Sequence, residues 1–487
     1  GGNCGVGFAP CRPEHRELLV SVMEGVEDIP EVVMTEGLTW DWETYPEYLR
    51  AIEARPHDID FASQIPHSTV RVYVMGQRAA DREPATADDL AKMQGLVREA
   101  MDVGALGFAT SRLVIHKTGQ GAAIPTYQAA EAELEAMALA LKDSGRGVLQ
   151  AVFGEPGRTF EDEIDLLSRL TKLSGRPASF SMVQSNENPE AWRNVMKHLA
   201  AANEQGPPIR AQVYPRPVGV VLGFDLSINP FSLCPSWPAL AKLPFDERIK
   251  ALRDPQVRAR LLMEDPEAAI IPLARLGRRY DFMYPLGDPP NYEPAPETSI
   301  TALAAARGVS PGELAYDLLL EHDGRGLLIA ALANYGSGTL DPIYSLITDR
   351  NSVIGLGDGG AHYGMICDSS YPTYLLQHWT RERNGERLSI EQAVKALTHD
   401  PAETVGLRDR GVLSVGRKAD LNVIDYDQVR LAKPSVIFDL PAGGRRLTQG
   451  ARGYEAMVVA GEIVSRGGEP TGALPGRLVR GPQAAPS

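Results

Sequence analysis

What most constrains the fold of this chain is a unit of helix followed by strand, repeated four times in its first half. Thr86 opens a segment in which Leu90, Met93, Val97 and Ala100 recur at helical spacing. Asp89 is placed to complete a capping box there, and Gly104 ends the helix. The apolar stretch 105–110 then reads as a strand. The same unit returns at 126–145 followed by 147–153, at 159–175 followed by 178–183, and at 188–199 followed by 209–214, the last helix with Pro189 at its first position. Four such units predict an α/β fold with a parallel sheet and helical crossovers. Further strands are predicted at 326–333 and 352–356. Since no GxGxxG or P-loop pattern follows any strand, the prediction is a (β/α)8 TIM-like barrel rather than an open sheet.

A chain of 487 residues exceeds what one compact core usually holds. Residues 1–405 are therefore assigned to the barrel. The Pro- and aromatic-rich stretch 218–298 is read as an insertion over its mouth. Residues 406–487 change texture, with short β-type runs at 411–413, 419–425 and 456–464, and are read as part of a small β-sandwich domain. The 63 acidic residues against 49 basic ones give a net charge of −14, which argues against nucleic acid or an anionic membrane as partner. Cys4, Cys11, Cys234 and Cys367 are too scattered to form a disulfide framework, so a reducing, cytoplasmic setting is expected. No apolar run approaches the roughly 18 residues of a membrane span. The opening Gly1-Gly2-Asn3-Cys4-Gly5 has no initiator methionine and reads like a strand-end loop, so upstream sequence, including the first barrel strand, is expected to be missing.

Barrel chemistry sits where strands end. In 355–362 an acidic residue, Asp358, leaves a short apolar strand into a glycine-rich loop, with His362 four residues on. Cys4 lies between glycines in another strand-end loop, where a thiolate could ligate zinc. His116, following the strand-end run 111–115, is a candidate for the pocket wall, whereas His67 reads as structural.

Taken together, Asn3-Cys4-Gly5-Val6-Gly7, Arg71-Val72-Tyr73-Val74-Met75-Gly76, Gly107-Phe108-Ala109-Thr110-Ser111, Gly357-Asp358-Gly359 and Thr471-Gly472-Ala473-Leu474-Pro475-Gly476 resemble the N-acyl-D-amino-acid deacylases of the amidohydrolase superfamily. Gly416-Arg417-Lys418-Ala419-Asp420-Leu421 is similar to the superfamily's widespread C-terminal signature. The resemblance implies a zinc-dependent hydrolase of non-peptide C–N bonds acting on a small-molecule amide. By it, Cys4 matches the zinc cysteine, Asp358 matches the aspartate that touches metal and moves protons, and Tyr214 matches a tyrosine of the substrate pocket. The family's first strand carries a His-x-His metal pair that would precede Gly1.

Three departures stand out. Gln150 and Met182 fall in the two stretches where the family places zinc histidines, so one zinc ion is expected rather than two. The family's carboxylate-binding arginine has no counterpart in 367–372, which leaves Arg112 or Arg216 to supply charge and favours neutral or bulky amides as substrates. On this reading Asp358 takes the proton of the attacking water and His362 polarises the carbonyl or steadies Asp358. A cyclic amide or carbamate hydrolase of the same superfamily, and a metal-free binding scaffold, remain as alternatives. Homo-oligomer formation is left open by the sequence.

Overall fold

Capping fixes where the central helices begin. Thr86 and Asp89 bond each other's backbone amides ahead of the helix Ala87–Asp102, and Thr159 and Asp162 do the same ahead of Phe160–Ser174. The computed structural model describes residues 4–264 and 277–486. Residues 1–3 of the opening motif and 265–276 of the expected insertion lie outside the described residues.

Six strands pair in parallel: β1 (Ile65–Pro66), β2 (Gly107–Ser111), β3 (Val148–Val152), β4 (Ala178–Met182), β5 (Ile209–Val213) and β9 (Ser352–Ile354), in the order β1-β2-β3-β4-β5-β9. Every residue of β2 and β3 is buried, as expected for a parallel sheet covered on both faces. Helices Glu131–Ser144, Phe160–Ser174 and Ala191–Asn203 make the crossovers between consecutive strands. The last begins at Ala191, two residues beyond the predicted Pro189. The fold is thus mixed α/β around a parallel sheet. Among the described residues, no hydrogen-bonded ladder joins β1 to β9.

The strand predicted at 326–333 forms, but not in this sheet. It becomes β8 (Leu328–Ala333) and pairs antiparallel with β6 (Val218–Leu222) and β7 (Met283–Pro285). An alanine-rich apolar run can bury itself in either sheet, and only its distant partners decide which. The aromatic residues of 218–298 pack largely on one another: Phe224 stacks on Trp237 at 5.9 Å, and Phe231 meets Tyr316 edge-on at 5.1 Å. Phe224 and Phe231 are fully buried and build a second core with Leu222 and Leu314.

At the C-terminal end, β10 (Leu421–Ile424), β13 (Tyr454–Val459), β14 (Glu462–Arg466) and β15 (Glu469–Pro470) form an antiparallel sheet in that order. Between β10 and β13 in the chain, β11 (Ser435–Leu440) and β12 (Gly444–Thr448) form a separate hairpin. The expected run at 411–413 forms no strand, and Leu413 is 79% exposed.

A fully buried polar network ties the start of the sheet to the helix between β2 and β3. His67 shares hydrogen bonds with Thr110 at 2.8 Å and with Glu133 at 2.7 Å, and Arg71 pairs with the other oxygen of Glu133. Burial alone would raise the Glu133 carboxyl, but His67 and Arg71 outweigh it and hold it at about 2, below the ordinary 4.5. His67 is structural, as the sequence suggests. Because the folded-state value is depressed, this stabilisation is complete above the ordinary carboxyl range and is lost as pH falls through about 2. Glu133→Gln should cost about 3–5 kcal/mol near neutral pH by stranding Arg71. In urea unfolding the gap between variant and wild type should narrow below pH 4, and a gap independent of pH would contradict this account.

Candidate active site

Asp358 lies four residues beyond β9, in the loop that leaves the C-terminal end of that strand. The loop turns sharply, with left-handed backbone at Leu356 (φ 63°) and His362 (φ 49°). It also lies tight against its neighbour, since a Cβ on Gly357 would come within 2.2 Å of the Tyr371 ring. The Cys4 loop is seated just as closely. A Cβ on Gly5 would meet Thr110 Cα at 2.6 Å, and the Gly5 carbonyl accepts a hydrogen bond from the Ser68 amide at 3.0 Å. Each loop is thereby held tightly against its own neighbours.

A third element completes the site, one that the sequence reading missed. Helix α1 (Arg16–Glu27) buries Leu19, Val20, Met23 and Val26, and on that same face it buries Glu27, which is 0% exposed. Its last turn docks against the Asp358 loop, where the His362 amide donates to the Glu27 carbonyl. No N–H or O–H group among the described residues donates to either carboxylate oxygen of Glu27, and the Cys4 thiol is its hydrogen-bonding neighbour. The His362 ring lies beside the same carboxylate, with Nε2 at 3.7 Å. The available signal was a glutamate in helical register with Val20 and Met23 on an apolar stripe, where an unpaired charge is rare.

These groups act on one another. Burial, then the negative charge of Glu27 and that of Asp368, raise the Asp358 carboxyl against the opposing influence of His362, leaving it at about 6. Burial likewise holds the Cys4 thiol well above its ordinary range, reinforced by Glu27 and Asp358. Near neutral pH the pocket therefore contains a carboxyl close to its midpoint and a neutral thiol. His116 shares a hydrogen bond with Ser111 at 2.7 Å, and burial, with the charge of His362 adding to it, depresses its imidazole to about 3. It stands as a neutral ring.

The structure thus brings Cys4, Asp358 and His362 together around Glu27, with His116 close enough to feel His362. The other three candidates are committed to partners of their own. Tyr214 is fully buried at the end of β5, its hydroxyl donating to the Asp368 carbonyl at 3.3 Å. Arg112 is committed to Glu155 and Glu163, the latter at 3.5 Å, and to the Ala129 carbonyl at 3.2 Å. Arg216 is equally committed, to Asp368 at 2.9 Å, Ser370 at 3.1 Å and the Cys367 carbonyl at 3.2 Å, with its guanidinium 4.0 Å from the centre of the Tyr292 ring.

A divalent cation would find suitable donor chemistry here, because a buried carboxylate that no N–H or O–H group serves, beside a thiol and a second carboxyl, is costly without a positive charge. Among the described residues, however, no three His, Cys, Asp or Glu side chains converge to hold one. The donor set fits a metal in kind, and it is incomplete among those residues.

Comparison with known proteins follows the same lines. A family model described as the amidohydrolase family matches residues 2–465. An uncharacterized protein of Mycobacterium tuberculosis is 26% identical over 464 residues, covering 87% of this chain and 70% of its own length. The N-acyl-D-glutamate deacylase of Alcaligenes xylosoxydans xylosoxydans is 24% identical over 484 residues, covering 98% and 79%. Among solved structures, the N-acyl-D-glutamate deacylase of Bordetella bronchiseptica, complexed with zinc and a phosphonate mimic of the tetrahedral intermediate, superposes with a TM-score of 0.57 at 21% identity, covering 98% of this chain and 81% of that one.

Proposed function

The chain belongs to the amidohydrolase family and is a hydrolase of carbon–nitrogen bonds, and on that premise we propose that it removes the acyl group from N-acyl amino acids, the D-series first among them. The observation that carries this reading is the environment of Asp358. A carboxyl held at about 6 at the end of a parallel strand is matched to proton transfer near neutral pH. Ionised, it takes the proton of the water that attacks the acyl carbonyl. Protonated, it returns that proton to the leaving nitrogen, so one group serves both steps. The left-handed turn at His362 sets its ring beside Glu27, and His362 counters the negative charge that Glu27 and Asp368 impose on Asp358. Cys4 and Asp358, with Glu27 behind them, are the groups that would hold zinc, which when bound supplies Lewis acidity for the scissile carbonyl. The zinc-containing deacylase of similar fold supports that choice of metal, as the deacylase relative supports the substrate class. The same likeness supports taking the six parallel strands as part of a TIM-like barrel, with 406–487 contributing to a small β-sandwich.

The reading is tested by release of free amine from paired N-acyl-D- and N-acyl-L-amino acids, with zinc either added or removed by a chelator. Amine should appear from D-substrates, and chelation should lower the rate at least about tenfold. Absence of amine from every member of the panel at saturating zinc would rule the reading out.

A further inference from the structure

We propose that Arg446, on the C-terminal hairpin, is the anchor for the substrate's free carboxylate, a role that rests on the deacylase reading of the same site. Beside Asp358 lies a cavity of about 250 Å³. The Asp358 loop and Cys367 form one wall, and β12 of the hairpin forms the other through Arg446 and Thr448, with Gln449 just beyond it. The hairpin is pinned to the loop where the Leu447 amide donates to the Tyr363 carbonyl at 2.6 Å. Arg446 is thereby fixed in register as the one cationic side chain among the residues described as lining this cavity.

Charge makes that position matter. The cavity borders Asp358, on which Glu27 and Asp368 also impose negative charge, so a substrate carboxylate entering beside it needs a cation. Arg112 and Arg216 are committed to carboxylates and carbonyls elsewhere. Arg446 still has donors to offer. Its Nε and Nη2 bond Asp439 at 2.8 and 2.7 Å, while Nη1 bonds nothing among the described residues. The Asp439 pair is partly exposed, at 34% and 48%, so water screens it and it competes only weakly for the guanidinium. A planar guanidinium with a free edge suits a carboxylate better than a point charge does. The cavity is also below the roughly 300 Å³ at which drug-sized ligands begin to fit, so it suits an amino-acid headgroup and not a bulky neutral amide.

The test is equilibrium titration of N-acetyl-D-leucine and its neutral partner N-acetyl-D-leucinamide into wild type, Arg446→Gln, Arg446→Lys and Asp439→Asn, with turnover read separately. Wild type should prefer the acid. Arg446→Gln should lower the acid-to-amide affinity ratio by about tenfold or more, Arg446→Lys should fall between them, and Asp439→Asn should raise acid affinity by releasing the guanidinium. Equal affinity for acid and amide in wild type, or an unchanged ratio in Arg446→Gln, would overturn the proposal. If the Gln variant does not fold, a fall in acid affinity in Asp439→Asn does the same. Acid binding that depends on Arg446 without any hydrolysis would leave the anchor standing and remove the deacylase reading instead.

Discussion

Asp358→Asn should lower amide hydrolysis by about 10²- to 10⁴-fold, the range that general acid–base catalysis supplies, while leaving the protein folded. The substitution is nearly isosteric, so Gly357 keeps its place against Tyr371 and the loop its path. What is lost is a carboxyl that can both accept and return a proton at about pH 6. The sign of the stability effect follows from that raised value. A carboxyl raised above its ordinary range disfavours the folded state once it is ionised, so above pH 6 the neutral amide should melt at or above the wild-type temperature. Cys4→Ser should cost less activity, because its thiol is held neutral by burial and by the two nearby carboxylates. Rate measurements beside thermal melts at pH 8 separate the possibilities. Equal losses from the two substitutions would mean that the thiol shares the chemistry, and a variant at position 358 retaining about a tenth of wild-type activity would remove Asp358 from its role.

The sequence is most legible where structure is local. Thr86 with Asp89 and Thr159 with Asp162 announce helices by a spacing that two backbone amides require, and both helices begin where that spacing places them. The strands that alternate with them follow from apolar runs between glycine stops. Asp358 is legible for a related reason, as an acid leaving a short strand into glycines. Pairing is not local. The run 328–333 carries no mark that it will join Val218–Leu222 antiparallel instead of entering the parallel sheet. Two site residues are hidden in the same way. Glu27 is inconspicuous until its helix shows which face it buries, and Arg446 follows Asp358 by most of a hundred residues, so only the hairpin's docking brings it to the cavity. Arg112 and Arg216 fail as free cations because their partners, Glu155, Glu163 and Asp368, arrive from separate loops and helices.

Glu27→Gln should make the protein more stable and less active together. The wild-type carboxylate is fully buried, no N–H or O–H group among the described residues donates to either oxygen, and the His362 ring nitrogen stands at 3.7 Å. A neutral amide of the same shape removes a buried charge and its repulsion of Asp358, a gain of about 1–3 kcal/mol at pH 8 with a chelator present. That gain should shrink as pH falls through about 6, because Asp358 then takes up a proton and the repulsion ends in the wild type as well. Activity moves the other way. Without the negative charge behind it, the Asp358 carboxyl drops toward its ordinary range and becomes a weaker base, so turnover at neutral pH falls and its acid limb moves to lower pH. A stabilising substitution that costs activity marks a group kept for function at the expense of the fold. Melting curves from pH 5 to 8, run beside the pH–rate profile, decide the matter. A lower midpoint for the variant at pH 8 would mean that the Glu27 charge is balanced in the folded protein, and its influence on Asp358 would then have to be assigned to another group.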